Sequence, residues 1–282
     1  MSSAPGAARP WPLPEPLPHP VVDQHCHLDM SRGDAPPPDV ASMLLDAASV
    51  GVDRVVHIGC DVGRAHRAVE LAREHRGVVA AVGLHPNEAP LLAARGELDD
   101  AIAQIAALAR HDRVRAIGET GLDYYRTAEA GRAAQEDSLR AHVRLAREVG
   151  KPLQIHDREA HQDVLRILAD EAPAGATVLH CFSGDASMAR ECVARGYYLS
   201  FAGPVTFKNA ASLRDALAVV PLDLLLVETD APFLAPAPHR GATNAPALVP
   251  CTARTMAQVL DVDLAELCGA LSANAERLYG PW

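Results

Sequence analysis

Residues 21–29 read Val-Val-Asp-Gln-His-Cys-His-Leu-Asp. The β-branched residues at the start predict a buried strand, and the polar residues that follow predict its carboxyl end. Because side chains alternate across a strand, we expect Asp23, His25 and His27 on one face and Gln24 and Cys26 on the other. Two imidazoles on one face can hold a metal ion, although a pair of packed histidines would give the same pattern.

Seven more apolar segments resemble the first one and alternate with segments of helical spacing. The predicted strands are 52–59, 77–84, 114–119, 152–156, 176–180, 196–201 and 222–228. Helices are predicted over 38–50, 61–76, from Leu98 to Ala109, 132–149, around 164–168, 186–195 and 209–219, and after Pro250. Continuous apolar strands alternating with helices indicate an α/β protein with a parallel sheet covered by helices. Eight strands in 282 residues favour a closed (β/α)8 TIM barrel over an open sheet, and no G-x-G-x-x-G motif supports a dinucleotide fold.

Composition limits the class of protein. Residues 1–20 contain seven prolines and no apolar run, so we expect an extended or disordered tail rather than a signal peptide, followed by one barrel domain over 21–282. No apolar run approaches the ~20 residues that cross a bilayer. The six cysteines form no C-x-x-C pair, which favours reduced thiols in a cytoplasmic protein over cysteine-ligated zinc. A net charge of −10 argues against stable binding along the groove of a DNA duplex, and one open barrel mouth suits a monomer.

Polar residues follow the predicted strands at their carboxyl ends, which in a barrel of this type meet at the catalytic mouth. One histidine in such a place is more often a packed side chain. Six metal-competent groups at the ends of five strands instead predict a shared metal site. They are His25, His27, Glu119, His156, His180 and Asp230.

Four imidazoles and two carboxylates can serve two divalent ions, which in such sites lie about 3.5–4 Å apart. A carboxylate must bridge them because two close cations repel each other, and Glu119 lies on a strand between the others. His25, His27 and Asp230 would complete one site, and His156 and His180 the other. The mixed donors suit zinc, manganese, nickel or, less ideally, magnesium, and the sequence does not choose among them.

The motifs around these residues resemble those of the TatD family of metal-dependent deoxyribonucleases. They are V-D-Q-H-C-H-L-D at 22–29, G-L-H-P at 83–86, G-E-T-G-L-D-Y at 118–124, I-H-D-R at 155–158, L-H-C-F-S-G at 179–184, E-T-D-A-P-F-L at 228–234 and N-A-E-R-L-Y-G at 274–280. The resemblance implies an amidohydrolase-like TIM barrel with the same six ligands, and DNA trimmed from a 3′ end as substrate. Glu119 stands where many amidohydrolases carry a carboxylated lysine.

The catalytic groups predicted for this reaction are Glu119, as the bridging ligand, and Asp230, which would deprotonate a metal-activated water. Candidates for contact with the substrate follow other strand ends, where ordinary surface charges are the alternative. They are His85, Arg158, Lys208, Asn209, Arg240 and Asn244. Asp23 and Glu228 share the predicted inward face, so we expect them to hold imidazoles in place or to form core salt links. Tyr124 and Tyr125 would stack on a base or cover the rim.

Two other functions remain open on the sequence alone. One is hydrolysis of an amide, lactone or aminoacyl ester at the same metal centre, because a fold does not fix its chemistry. The other is a metal-stabilised binding protein without turnover.

Overall fold

The computed structural model of the chain describes residues 11–33, 39–173 and 175–282. Within them, eight strands form one sheet in chain order, and every neighbouring pair is parallel. The strands are β1 (Val21–Cys26), β2 (Val52–Gly59), β3 (Val78–Val82), β4 (Val114–Asp123), β5 (Leu153–Arg158), β6 (Thr177–Leu179), β7 (Tyr198–Phe201) and β8 (Leu225–Val227). The predicted (β/α)8 barrel is therefore confirmed.

Helices alternate with the strands and cover the barrel. They are α1 (Val40–Ser49), α2 (Val62–Glu74), α3 (Glu88–Arg95), α4 (Leu98–Leu108), α5 (Glu129–Val149), α6 (His161–Glu171), α7 (Ala186–Ala194), α8 (Ala211–Leu217), α9 (Val249–Leu260) and α10 (Leu264–Tyr279). Three short 3-10 helices lie at Gly203–Thr206, Leu222–Leu224 and Pro246–Leu248. No helix within the described parts of the chain is long and apolar enough to cross a membrane.

Some element boundaries differ from the predicted ones. The sequence did not predict α3, a short helix whose first turn holds Pro90 and whose end is capped by Gly96 in the left-handed conformation. The predicted strand 222–228 is shorter because a 3-10 turn occupies Leu222–Leu224. The predicted stop of the long helix at Gly150 is confirmed, with Gly150 at φ +66°.

The barrel closes between β8 and β1 through residues that follow the short last strand. The N–H of Asp230 donates to the carbonyl of His25 at 2.9 Å, and the N–H of His27 donates to the carbonyl of Ala231 at 2.8 Å. These hydrogen bonds bring the end of β8 beside the two histidines of β1. The mouth of the barrel is thus formed by the residues that the sequence singled out.

The interior of the barrel toward the amino-terminal ends of the strands contains an apolar cluster. Val22, Ile58, Val79, Leu226 and neighbouring strand residues pack there against Tyr279 from the end of α10. The last helix thus closes the amino-terminal end of the barrel with its own side chains. A second and larger apolar layer lies between the strands and the helices around them.

Residues 11–20 pack on the barrel. Trp11 is 6% exposed, and its indole N–H donates to the carbonyl of Thr243 at 2.9 Å. Leu17 is buried, and its N–H donates to the carbonyl of Val50 at 3.0 Å. The first half of the predicted extended or disordered tail, residues 1–10, lies outside the described residues, whereas the second half has no regular secondary structure and is part of the packed domain.

The side chains of β1 do not alternate strictly between the two faces of the sheet. Its pairing with β2 shifts register between Asp23 and Cys26, so Gln24 and His25 both face the interior, where both contact the amide of Gln154. The prediction that Gln24 lies on the opposite face from His25 is therefore wrong. A bulge of this kind is invisible to a period-two pattern.

Candidate metal centre

The carboxylate of Glu119, which lies on β4, is the midpoint of the candidate site. Its Oε2 is 3.5 Å from His25 Nε2 and 3.9 Å from His27 Nε2. Its Oε1 is 2.7 Å from His156 Nδ1 and 3.0 Å from His180 Nε2. Each oxygen therefore faces a separate pair of imidazoles, as a bridging carboxylate requires.

The first donor set consists of His25 Nε2, His27 Nε2, Glu119 Oε2 and Asp230 Oδ1. Asp230 Oδ1 lies 3.5 Å from His27 Nε2 and 3.9 Å from His25 Nε2. Ligand atoms about 2.1 Å from a tetrahedral ion are separated by about 3.4 Å, so the spacing is close to that of a metal site. His25 Nε2 and Glu119 Oε2 are buried without a hydrogen-bond partner. Unpaired buried polar atoms of this kind are costly, and a bound cation would satisfy both.

The second donor set consists of Glu119 Oε1, His156 Nδ1 and His180 Nε2. The two ring nitrogens lie 3.4 Å apart. All three atoms are therefore within ligand spacing of one another, and the residues fit a second divalent ion.

His85 lies beside the second set, with its Nε2 3.5 Å from Glu119 Oε1. Its Nδ1 accepts the backbone N–H of Asn87 at 3.1 Å, so the neutral ring carries its proton on Nε2. Burial lowers the pKa of His85 to about 4, which keeps the ring neutral at pH 7. In this tautomer Nε2 is a hydrogen-bond donor, and His85 also lies within ligand spacing of Glu119 and His156, so its role in substrate contact stays a prediction.

Glycine allows β4 to carry Glu119 so close to β5. Gly121 is the register partner of His156 and has φ +149°, in the region that favours glycine. A Cβ at this position would overlap the carbonyl oxygen of His156. The G-E-T-G motif therefore sets the distance between Glu119 and the histidine it contacts.

The electrostatics of the site favour ionised carboxylates. Burial alone would raise the pKa of Glu119, but His85, His180 and His156 outweigh it and hold that pKa well below its usual range. For Asp230, burial is likewise outweighed by the hydrogen bond and charge of His27, so its pKa is lowered. One buried and one partly buried anion beside four imidazoles form a site suited to cations.

Carboxylates behind the second set hold its histidines. Glu228 Oε1 lies 3.3 Å from His180 Nδ1 and accepts the N–H of Cys181 at 2.8 Å. This contact is the one predicted for Glu228. Asp123 Oδ2 lies 3.5 Å from His156 Nε2, although sequence reasoning did not single it out. The available signal was its position in the G-E-T-G-L-D-Y motif, four residues after Glu119.

Asp23 does not contact an imidazole. Its carboxylate accepts the N–H of Thr229 at 2.9 Å and the Thr229 hydroxyl at 2.5 Å, and burial raises its pKa to about 7. Because Thr229 precedes Asp230, Asp23 fastens the end of β8 to β1. The expected role of holding a histidine is therefore replaced by that of holding the backbone beside Asp230.

Asn244 is buried, and its side chain contacts backbone groups of the loop after β8. Its amide donates to the carbonyls of Thr229 and Phe233 at 2.8 and 2.7 Å. These bonds use both amide hydrogens, so the structure contradicts the predicted substrate contact. Asn244 instead stabilises the loop after β8.

The other predicted contacts lie at the end of β5 and on the loops after β7 and β8. The Arg158 guanidinium packs 3.9 Å above the ring of Tyr125, which is 60% exposed. Lys208 and Asn209 are exposed after β7, and Arg240, after β8, packs 4.5 Å above the ring of Phe207. Tyr124 donates its hydroxyl to Asp163 at 2.9 Å, and the Arg132 guanidinium packs 4.0 Å above its ring.

Two other histidines are packed and support the backbone. His57 Nδ1 accepts the N–H of Leu28 at 3.2 Å, and His142 Nε2 accepts the N–H of Leu84 at 3.1 Å. Burial lowers the pKa of each to about 4. They fix the chain directly after His27 and directly before His85.

The sequence and the fold were compared with those of known proteins, and the matches include metal-dependent hydrolases and TatD homologues. The family model described as TatD related DNase matches residues 22–280. The chain is 41% identical over 264 residues to an uncharacterized metal-dependent hydrolase named TatD from Mycobacterium tuberculosis, covering 92% of this chain and 98% of that protein. It is 40% identical over 260 residues to the uncharacterized metal-dependent hydrolase YcfH of Escherichia coli K12, covering 92% and 95%. The crystal structure of YJJV, a TatD homolog from Escherichia coli K12, matches with a TM-score of 0.83 at 28% identity, covering 92% of this chain and 97% of that one.

Proposed function

The chain belongs to the TatD family and is a metal-dependent hydrolase, and from this premise we propose that it is a deoxyribonuclease that removes nucleotides from the 3′ ends of DNA. The single observation that carries the metal chemistry is the division of the Glu119 oxygens between two donor sets. The description of the family supports DNA as the substrate.

The residues that would hold two divalent ions are the members of the two donor sets. Their mixed nitrogen and oxygen chemistry suits zinc, manganese, nickel or magnesium. Ions bound there would neutralise a phosphodiester and lower the pKa of water, so that hydroxide is available at neutral pH.

Asp230 is the proposed general base. Its pKa is lowered, so the carboxylate is ionised and ready to accept a proton. The side chain is 16% exposed, more than Glu119 at 3%, so it can reach a water at the mouth. Both oxygens of Glu119 face imidazoles of the two donor sets, so its proposed role is that of the bridging ligand.

His85 is the proposed hydrogen-bond donor to a phosphate oxygen. Its proton lies on Nε2, beside Glu119 Oε1, and the ring stays neutral. Arg158, the last residue of β5, is a proposed phosphate-binding cation, with Tyr125 beneath it as a surface on which an exposed base can stack. Lys208, Asn209 and Arg240 are proposed to contact phosphates farther from the cleaved bond.

The end of a DNA strand suits this site better than the middle of a DNA duplex. The ligand side chains of β1 are almost fully buried, with His25 at 0% and His27 at 5% exposure. A phosphodiester must therefore enter the barrel mouth, which an unpaired end can do. The net charge of −10 also disfavours long contacts along a duplex.

The test is incubation of metal-loaded protein with single-stranded and duplex oligonucleotides labelled at the 5′ end. We expect a ladder of products shortened from the 3′ end, lost with a chelator and restored by one of the four ions. The Asp230→Asn variant should retain the fold by circular dichroism and lose the ladder. Ester, lactone and amide substrates are assayed in parallel. Turnover of one of these without shortening of any oligonucleotide would replace the nuclease by the alternative hydrolase, and turnover of none would favour a binding protein.

A further inference from the structure

A layer of buried amides lies directly beneath the candidate metal centre. His25 Nδ1 lies 2.8 Å from Gln154 Oε1. Gln154 Nε2 lies 3.2 Å from Gln24 Oε1, and Gln24 Nε2 donates to Glu228 Oε2. Both glutamines are 0% exposed, and neither has a part in the mechanism above.

The direction of every hydrogen bond in this layer follows from Glu228. Three donors converge on its carboxylate, from Gln24, His180 and the Cys181 N–H, and a carboxylate can only accept. Gln24 must therefore direct its NH2 toward Glu228 and its oxygen toward Gln154. Gln154 in turn directs its NH2 toward that oxygen and its own oxygen toward His25.

The consequence is a fixed proton on His25. Because Gln154 presents an acceptor, His25 must carry its proton on Nδ1, which leaves Nε2 as a bare lone pair facing Glu119 and Asp230. Glu228 does the same for His180 directly, through Nδ1. The two rings also stack, with centroids 3.8 Å apart and an angle of 8° between their planes.

We propose that Gln24 and Gln154 are positioning residues that relay the orientation set by Glu228 to His25, so that one buried carboxylate fixes the metal-binding tautomer of a histidine in each donor set. Tyr279, from the last helix, completes the relay. Its hydroxyl donates to Gln24 Oε1 at 2.9 Å and accepts from Gln154 Nε2 at 3.0 Å. The carboxyl-terminal helix thereby takes part in forming the metal site from the opposite end of the barrel.

The relay predicts a graded series of variants. Gln154→Leu removes the acceptor that the described residues provide for the His25 Nδ1 proton, and we expect metal affinity at the first donor set to fall by about 10–100-fold. Gln24→Leu should weaken it less, because Gln154 keeps the backbone carbonyl of Gln24, at 3.2 Å, and the Tyr279 hydroxyl as acceptors. Tyr279→Phe should have the smallest effect, since both amides remain.

The inference rests on the proposed metal centre but not on the proposed DNA substrate. Two measurements therefore test it without an assay of enzymatic activity. Calorimetric titration gives the metal affinity, and long-range 15N NMR of the metal-free protein above neutral pH shows which ring nitrogen of His25 carries the proton. The matched control is Asn274→Leu, which removes a buried amide of α10 that donates to the carbonyls of Leu222 and Leu225 and accepts from Arg277, outside the amide layer.

In the wild type we expect a proton on His25 Nδ1, and in Gln154→Leu a mixture of tautomers with weaker metal binding. Asn274→Leu should change stability but neither readout. If Gln154→Leu does not fold, Gln24→Leu and Tyr279→Phe carry the test through the same two measurements. A wild type that binds no metal would refute the metal centre itself. Equal metal affinity and an unchanged His25 tautomer across the folded variants would overturn the relay alone.

Discussion

Replacing Asp123 by Asn tests how much a carboxylate behind a ligand contributes to the second donor set. Asp123 Oδ2 lies 3.5 Å from His156 Nε2, and its Oδ1 accepts the N–H of Arg126 at 2.9 Å. Burial would raise the pKa of Asp123, but the hydrogen bonds from His156 and Arg126 lower it well below its usual range. The carboxylate is therefore ionised and draws the Nε2 proton of His156 toward itself.

The expected magnitude follows from that contact. Loss of a carboxylate that contacts a ligating histidine from behind typically lowers metal affinity by about 10–100-fold, and we expect a fall of that size at the second donor set. Asn keeps the shape and the acceptor for Arg126 but loses the charge. The first donor set, which Asp123 does not touch, should keep its affinity.

The assay is a calorimetric titration of metal-free protein with Zn2+ or Mn2+, followed by hydrolysis rates across metal concentrations. The matched control is Asp170→Asn, which removes an exposed carboxylate that pairs with Arg140 and Arg166 on the outer surface. Two unchanged binding steps in Asp123→Asn would refute the idea that this carboxylate strengthens His156.

Three further predictions concern stability. Gly121→Ala should destabilise the fold by about 1–3 kcal/mol and reduce hydrolysis, because the new methyl group would overlap the His156 carbonyl oxygen. Thermal melting measures the effect, and a melting temperature equal to that of the wild type would contradict the prediction. The His142 pKa is about 4 when folded and 6.5 as its ordinary value, so protonation favours unfolding, and about 3 kcal/mol of stability should be lost as pH falls from 6.5 toward 4. Urea denaturation at stepped pH should show a flatter loss for His142→Gln, which keeps an acceptor for Leu84; an identical slope would assign the loss to other groups. A divalent ion at about 100 times its dissociation constant should add about 2.7 kcal/mol per site to the free energy of unfolding. The melting temperature should therefore fall when a chelator is added, and an unchanged melting temperature would argue against both sites.

The barrel could be predicted because its signals are local. Each strand is a short apolar run, and each helix has the spacing of one buried face, so the order of elements follows from the chain without knowledge of distant contacts. The departures arise where a distant contact decides the local structure. Residues 11–20 lack any periodic pattern but bury Trp11 and Leu17, and the closure beside β8 depends on hydrogen bonds from Asp230 and His27 rather than on strand length.

The donors could be predicted for a chemical reason. Only a few side chains bind divalent ions, so histidines and acids at successive strand ends are conspicuous in a sequence. Substrate contacts are less restricted, and the sequence could not separate Arg158, which lies on the rim, from Asn244, which is buried and hydrogen-bonded to backbone carbonyls. Burial decides between them, and burial is a property of the folded chain.

The groups that hold the donors were the least predictable, because almost any hydrogen-bonding group can do that work. In this chain a carboxylate holds His180, an amide holds His25, and a threonine bound by Asp23 precedes Asp230. None of these contacts joins residues that are near one another in sequence. Sequence reasoning therefore finds the candidate ligand atoms, whereas the tautomer and orientation of the side chains that carry them depend on neighbours that only the closed barrel brings together.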